Sequence, residues 1–340
     1  MRAVVYHAPR DIRLERVEVP KPRPDEIVIK VGAALTCGTD FKAYRQGHKV
    51  LLGSLPARFG HEVAGTVVDV GYQVRNFHVG DRVVAANSAP CDGCFYCDRG
   101  QNQLCERLKL HNGAYADYDC IPANIVARNT WKLPDDLAFD VAALSEPLAC
   151  AVHGVAALDV KKGESATVIG AGPMSLLLIQ ALKARGARVH VIGRDEANLE
   201  LARKSGADAT FSTRHGGAYG LARAASGGPG PDHVFESVGK EETWREAVSL
   251  ARPGGRVCLF GGCAAGTMVP FDAHRIHYSQ LSLFGVFHHT PKYFKEALDL
   301  LAAGKIKTEL LIRGKIELDQ VPDFFRANAE KSGAKVAVLP

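Results

Sequence analysis

The chain is expected to fold as an α/β protein, with a doubly wound parallel sheet following a β-rich domain. One observation is a glycine-rich turn, VIGAGPMS at residues 168–175, that joins an apolar strand to a helix. From there, strand-like runs at 188–192, 209–211, 232–236, 255–260 and 281–287 alternate with helical runs at 174–185, 196–204 and 241–251. That rhythm is the signature of parallel strands linked by crossover helices. The second observation is the region before residue 148, where short alternating segments at 3–6, 12–18, 26–31, 62–70 and 81–85 read as half-buried strands. The tail adds a helix at 293–303 and a strand near 336–339, and the glycine-rich stretch 216–230 reads as a surface loop with a short helix.

Four cysteines, Cys91, Cys94, Cys97 and Cys105, stand in PCDGCFYCDRGQNQLC with the spacing C-x2-C-x2-C-x7-C. Thiolates this close can converge on one ion, and tetrahedral zinc takes four sulfurs at about 2.3 Å. Two disulfides in so short a loop would be strained and would tie together little else. Bacterial ferredoxins start similarly but place proline after a last cysteine that follows a shorter gap; here Glu106 follows Cys105. Zinc is therefore the expected occupant, in a closed site that holds a loop and does no chemistry.

A second set of ligand types is scattered along the chain. TCGTD supplies Cys37 and Thr39, FGHEVAG supplies His61 and Glu62, and LSEPLACAVHG supplies Glu146. Singly, a cysteine reads as a small buried hydrophobe and a histidine as a satisfied core or surface residue. Together they offer sulfur, imidazole and carboxylate, the donors of a catalytic zinc with one position open. In the glycine-rich turn, Gly170 permits the tight bend and Gly172 allows the backbone to approach a pyrophosphate at the helix N-terminus, where Pro173 and Met174 begin the helix. Ser175 occupies the position of the third glycine, small enough for close packing though not a perfect match.

Six features in order, TCGTD, GHEVAGTVVDVG, GDRV at 80–83, the four-cysteine lobe, EPLACAVHG and GAGPMS, resemble the zinc-dependent medium-chain dehydrogenases, in the branch of sorbitol and threonine dehydrogenases. The resemblance runs end to end. It implies a GroES-like zinc catalytic domain at 1–147 with a structural zinc lobe at 90–106, a Rossmann domain at 148–287, and a tail at 288–340 that rejoins the catalytic domain, with the active site in the cleft. It implies two zincs per chain. Cys37 and His61 would bind the catalytic one, with Glu62 or Glu146 as the acidic partner; in the polyol branch the glutamate beside the histidine is the ligand and the EP glutamate holds the bound water. Gly261 and Val286 would complete the cofactor contacts. A bound alcohol loses its proton more readily on zinc, and hydride then passes to the nicotinamide. Thr39 would accept the substrate hydroxyl's proton. Many relatives carry a histidine three residues later to relay it, and this chain has Lys42. The relay here must use water, Glu62, the ribose or another group.

Cofactor choice is read from RVHVIGRDEANLELARKSGAD. NAD enzymes place an acid about 20 residues past the glycines to accept the ribose hydroxyls. Here that position is Gly193, followed by Arg194, so a 2′-phosphate has room and a guanidinium to grip it. NADP is favoured over NAD, with Asp195 the competing acid. His288 and His289, in FGVFHHT, fall where polyol relatives carry substrate-facing residues, although ordinary loop histidines are as good a reading. Tyr44, Phe59 and Trp131 read better as core aromatics than as pocket walls.

The expected activity is hydride transfer between NADP(H) or NAD(H) and a secondary alcohol, polyol or sugar and its ketone. Threonine 3-dehydrogenase-type oxidation, a zinc-free quinone-reductase-like enzyme, and a non-enzymatic binder on the same fold are the alternatives. The 340 residues suit two domains. No charged-then-apolar leader and no apolar run of about 18 residues is visible, so a cytoplasmic protein without a membrane span is expected. Nine cysteines fit a zinc lobe plus buried thiols better than a disulfide scaffold. The +5 charge is spread without basic runs, which speaks against nucleic-acid binding. A small-molecule substrate and a homodimer or homotetramer are expected.

Overall fold

A computed structural model describes residues 1–330 and 335–340. The chain divides into two compact units, Met1–Ala149 with His289–Gly304 and Ile312–Pro340, and Cys150–His288 with Lys305–Leu311. The sequence reading places its boundaries after residues 147 and 287. One segment departs from that reading: Lys305–Leu311 packs with the second unit, where the Lys307 amide donates to Gln180 Oε1 at 2.6 Å. The tail of 288–340 is therefore not a single return, and its residues 331–334 lie outside the described ones.

In the first unit, among the described residues, a seven-stranded sheet runs in the order Ile312–Glu317, Lys335–Leu339, Ile27–Leu35, Glu62–Val70, Arg82–Ala85, Thr130–Lys132, with Tyr118–Ile121 also paired to Ile27–Leu35. A small sheet of Asp11–Arg16, Arg2–Ala8 and Ala57–Arg58 packs beside it. Apolar side chains from both sheets, among them Tyr6, Ile27, Ile29 and Phe59, join Phe325 of the tail helix Val321–Ala327 in one core. Phe325 stacks on Phe41 with ring centroids 4.5 Å apart. The strand read at 12–18 stops at Arg16, just before the prolines at 20, 22 and 24, which lack the N–H a ladder needs. The strand read at 26–31 instead continues to Leu35, carried by pairing to Glu62.

The second unit is a six-stranded parallel sheet, in spatial order Ala209–Ser212, Arg188–Gly193, Ser165–Ile169, His233–Glu236, Arg256–Leu259, Ser282–Gly285. The order reverses on either side of Ser165–Ile169, so the carboxyl end of that strand is the switch point where ligands of open α/β sheets bind. No helix among the described residues is long and apolar enough to cross a membrane.

Candidate active site and metal centres

Cys37 follows the strand Ile27–Leu35 and stands at the N-cap of the helix Gly38–Gln46. His61 lies just before the strand Glu62–Val70, whose first residue pairs with Leu35. Neighbouring strand ends thus bring the three donors together: Cys37 Sγ, a ring nitrogen of His61 and a carboxylate oxygen of Glu62 all lie within 4.8 Å of one another. Asp40, wholly buried on the same helix, organises the group. Its Oδ2 accepts from the Cys37 amide at 3.0 Å and from the Tyr115 hydroxyl at 2.6 Å. Its Oδ1 lies 2.9 Å from His61 Nδ1, a charge contact with the N–H off the line to the oxygen. Engagement of Nδ1 leaves Nε2 as the ring's ligand atom, the usual arrangement of a metal-binding histidine. Burial opposes a charge on His61, yet Asp40 and then Cys37 outweigh it and raise its pKa well above the usual imidazole value.

Glu62 has a second partner, invisible in the sequence reading. Lys335, on the strand Lys335–Leu339, places Nζ 2.5 and 2.7 Å from the two Glu62 oxygens and 3.3 Å from the Thr36 carbonyl. Both side chains are buried. Burial lifts the Glu62 carboxyl and Lys335 opposes that lift, while Glu62 raises the Lys335 ammonium against its own desolvation.

Glu146, in the first turn of the helix Ser145–Ala157, falls outside the three-donor cluster, although the charges of His61 and Glu62 act on it. Burial pushes its carboxyl up to about 7. His289 Nε2 sits 3.6 Å from Glu146 Oε1 and 3.0 Å from Asn87 Oδ1, with the ring buried. His288 takes a left-handed φ of 59°, and its carbonyl accepts from His153 Nδ1 at 2.8 Å. Thr39 is half-buried in the first turn of the Gly38–Gln46 helix and Lys42 is exposed on it. Tyr44 and Phe59 are core residues, whereas Trp131 is half-buried and donates to Asn129 Oδ1 at 3.3 Å.

The sulfurs of Cys91, Cys94, Cys97 and Cys105 also lie within 4.8 Å of one another, held by two single-turn helices, Cys97–Arg99 and Asn102–Leu104. Backbone amides point at the sulfurs: those of Cys91 and Arg107 reach Cys105 Sγ at 3.3 and 3.4 Å. Amides of Cys97, Glu106 and Tyr96 hold the Cys94 thiol below its ordinary pKa. Donors aimed at four clustered sulfurs fit thiolates around a metal.

At the switch point, Gly170 takes φ 115°, and a Cβ there would sit 2.7 Å from Ser237 Oγ. Ser175 fills the third-glycine position by bonding that same Ser237 hydroxyl at 2.8 Å. Around Gly172, the N-cap of the helix Pro173–Ala184, a Cβ would meet nothing within 4 Å, which leaves the space a pyrophosphate needs. Gly261 is required by close packing, since a Cβ would lie 2.4 Å from the Gly239 amide nitrogen. Val286 is half-buried just past the strand Ser282–Gly285. One expectation needs correction: Gly193 does not leave room for a phosphate. It is buried, and a Cβ there would press on Leu199 Cδ2 at 2.9 Å and Ala171 Cβ at 3.0 Å. Asp195 caps the helix Glu196–Lys204 through the Asn198 amide at 3.1 Å, with Arg214 at 3.8 Å, and Arg194 beside it is exposed.

Two units, a thiolate–imidazole–carboxylate cluster, a four-sulfur lobe and a dinucleotide cradle define a zinc-type dehydrogenase. Family models agree: residues 23–135 match the alcohol dehydrogenase GroES-like domain and 173–303 the zinc-binding dehydrogenase domain. D-arabinitol dehydrogenase 1 of Uromyces fabae is 32% identical over 100% of this chain and 97% of its own length. Sorbitol dehydrogenase of Bacillus subtilis is 29% identical over 95% and 92%. A structure from Sinorhizobium meliloti, described as a zinc-binding dehydrogenase bound to NADP, superposes with a TM-score of 0.92 at 30% identity, covering 100% and 99%. The chain belongs to the zinc-type medium-chain alcohol and polyol dehydrogenases, and it is an oxidoreductase.

Proposed function

We propose that the chain oxidises a secondary alcohol, polyol or sugar to its ketone, and catalyses the reverse, with one catalytic and one structural zinc and with NADP preferred to NAD. The observation that carries this reading is the convergence of Cys37, His61 and Glu62 within 4.8 Å, with His61 Nδ1 already engaged by Asp40. Zinc bound there would lower the pKa of an alcohol hydroxyl and polarise a carbonyl. The chain's own residues would do the rest. Cys37, His61 and Glu62 hold the metal, and Asp40 and Lys335 fix their orientation. Glu146, whose carboxyl burial pushes up to about 7, would hold or release a proton beside the donor cluster, with His289 Nε2 3.6 Å away. Thr39 orients the substrate hydroxyl. A zinc-free reductase would have no use for this donor set. Metal analysis should find two zincs per chain. Turnover of secondary alcohols, polyols, sugars and threonine with both cofactors tests the class, and no turnover with any would overturn it.

The lobe is assigned the structural zinc. Cys94→Ser should release one metal per chain and destabilise the region from Cys91 to Cys105, because metal binding there adds directly to folding free energy. Unchanged metal content and unchanged proteolytic resistance of the lobe would refute a closed zinc site.

The NADP preference rests on Arg194 alone among the two residues read from sequence, with Arg214 close to the same strand end. A bidentate, charge-assisted contact to the 2′-phosphate contributes about 1.5–3 kcal/mol, or roughly ten- to a hundredfold in affinity. Arg194→Ala should weaken NADPH binding by that factor while leaving NADH nearly unchanged, as read by fluorescence titration. Tighter binding of NADH by the unaltered protein would mean that Asp195 reads the ribose. A homodimer or homotetramer is proposed, and the outer strands of the six-stranded sheet, Ala209–Ser212 and Ser282–Gly285, offer edges to which a second copy could pair.

A further inference from the structure

The first unit contains a cavity of about 430 Å³ outside the three-donor cluster. Its walls are Leu51, Leu52 and Leu110 on the apolar side and Arg58, Lys109 and Asn112 on the polar side, and no acidic residue lines it. Beneath it, fully buried Asp119 orients two of the polar groups: His111 Nε2 at 2.8 Å and Arg58 Nη2 at 3.4 Å. Gly113 makes this possible. A Cβ there would lie 3.0 Å from Asp119 Oδ1 and 3.2 Å from the Arg58 guanidinium. Burial alone would raise the Asp119 carboxyl, but His111 and Arg58 overcome it and hold it ionised below its ordinary value. Asp119 therefore balances Arg58, and the Lys109 charge has no partner among the described residues.

Asn112 adds an independent observation. Both polar atoms of its side-chain amide are buried, and neither has a hydrogen-bond partner among the described residues. Such groups are uncommon in folded proteins and call for an occupant that satisfies them. The cavity is also coupled to the metal cluster through the backbone. The Gly113 and Ala114 amides both donate to the Gly60 carbonyl, at 2.7 and 2.9 Å, and Gly60 immediately precedes His61.

We infer that this cavity receives the anionic end of the substrate, a phosphate or carboxylate carried on the same carbon chain as the reacting hydroxyl. This rests on the dehydrogenase reading above. The Asn112 amide and Arg58 donate to the anion's oxygens, Lys109 supplies the unbalanced charge, and the leucines cover the carbon chain. Lys109 is exposed, so it would meet the anion at the mouth of the cavity.

The test compares a pentitol, its 1-phosphate and the matching hydroxy acid as substrates for the zinc-loaded protein, and titrates inorganic phosphate calorimetrically into the unaltered protein and Lys109→Glu. The expected result is kcat/KM for one of the two anionic substrates at least about tenfold above the pentitol, with that ratio falling about tenfold in Lys109→Glu. Which anion leads identifies the headgroup. Turnover of the pentitol with no anionic preference, the ratio unmoved by Lys109→Glu, would overturn the inference and leave the dehydrogenase reading standing. Absence of turnover with all three would count against that reading instead. The phosphate titration would then decide for the cavity: binding lost in Lys109→Glu supports it, and no binding to the unaltered protein overturns it.

Discussion

Cys37→Ala should abolish turnover, by about three orders of magnitude or more, while the cofactor still binds. A metal acting as Lewis acid contributes several kcal/mol to a developing charge, and roughly 4 kcal/mol is a thousandfold in rate. Removing a donor from a three-donor site loosens the metal and misplaces what remains. Cys37 is only half-buried at a helix N-cap and contributes nothing to the apolar core around Phe59 and Phe325, so the fold should survive. His61→Ala should behave alike in rate, with an added stability loss because Asp40 would be left buried without its imidazole partner. The decisive measurement pairs zinc content with kcat: the catalytic zinc lost, the lobe zinc kept, and NADPH affinity little changed. Full activity in metal-depleted or Cys37→Ala protein would remove the metal from the mechanism.

What the sequence made legible follows from how locally each signal is encoded. The four lobe cysteines lie within one short loop, so spacing alone announced their convergence. The strand Glu62–Val70 and the helix Glu196–Lys204 have the limits read from periodicity, because each is a continuous amphipathic or buried run. The helix Gly38–Gln46 was not read: its apolar residues are few, and Asp40, Tyr115 and the cluster hold it more than its own pattern does. Gly193 shows a different failure. A glycine at a strand end can leave space for a ligand or be demanded by packing, and only the positions of Leu199 and Ala171 distinguish the two. Lys335 carried no signal at all. It reads as an ordinary lysine opening an apolar strand, and its partner Glu62 is 273 residues away in sequence. Pairing over that distance is set by the strand Lys335–Leu339 lying beside Ile27–Leu35, which no local pattern reports.

Lys335→Met should destabilise the first unit by about 3–5 kcal/mol in metal-free protein, since it leaves the Glu62 carboxylate buried without a cation. Methionine matches the lysine stem closely in volume, so the loss would report charge more than packing. Adding Glu62→Gln to that variant should recover much of the stability, because the pair is then replaced by neutral groups of similar shape. The same cycle repeated with zinc bound tests the donor assignment. A dication beside Glu62 would itself balance the carboxylate, so Lys335→Met should then cost distinctly less than in the metal-free protein. If Glu146 is the metal's carboxylate and Glu62 only its neighbour, zinc would relieve little, and the two denaturation series would give similar losses. Thermal and urea unfolding of the four proteins, with and without zinc, would read the difference directly, provided the metal is equilibrated before denaturation. Equal stability of Lys335→Met and the unaltered protein in both series would show that the buried pair at 2.5 and 2.7 Å does not hold the site together.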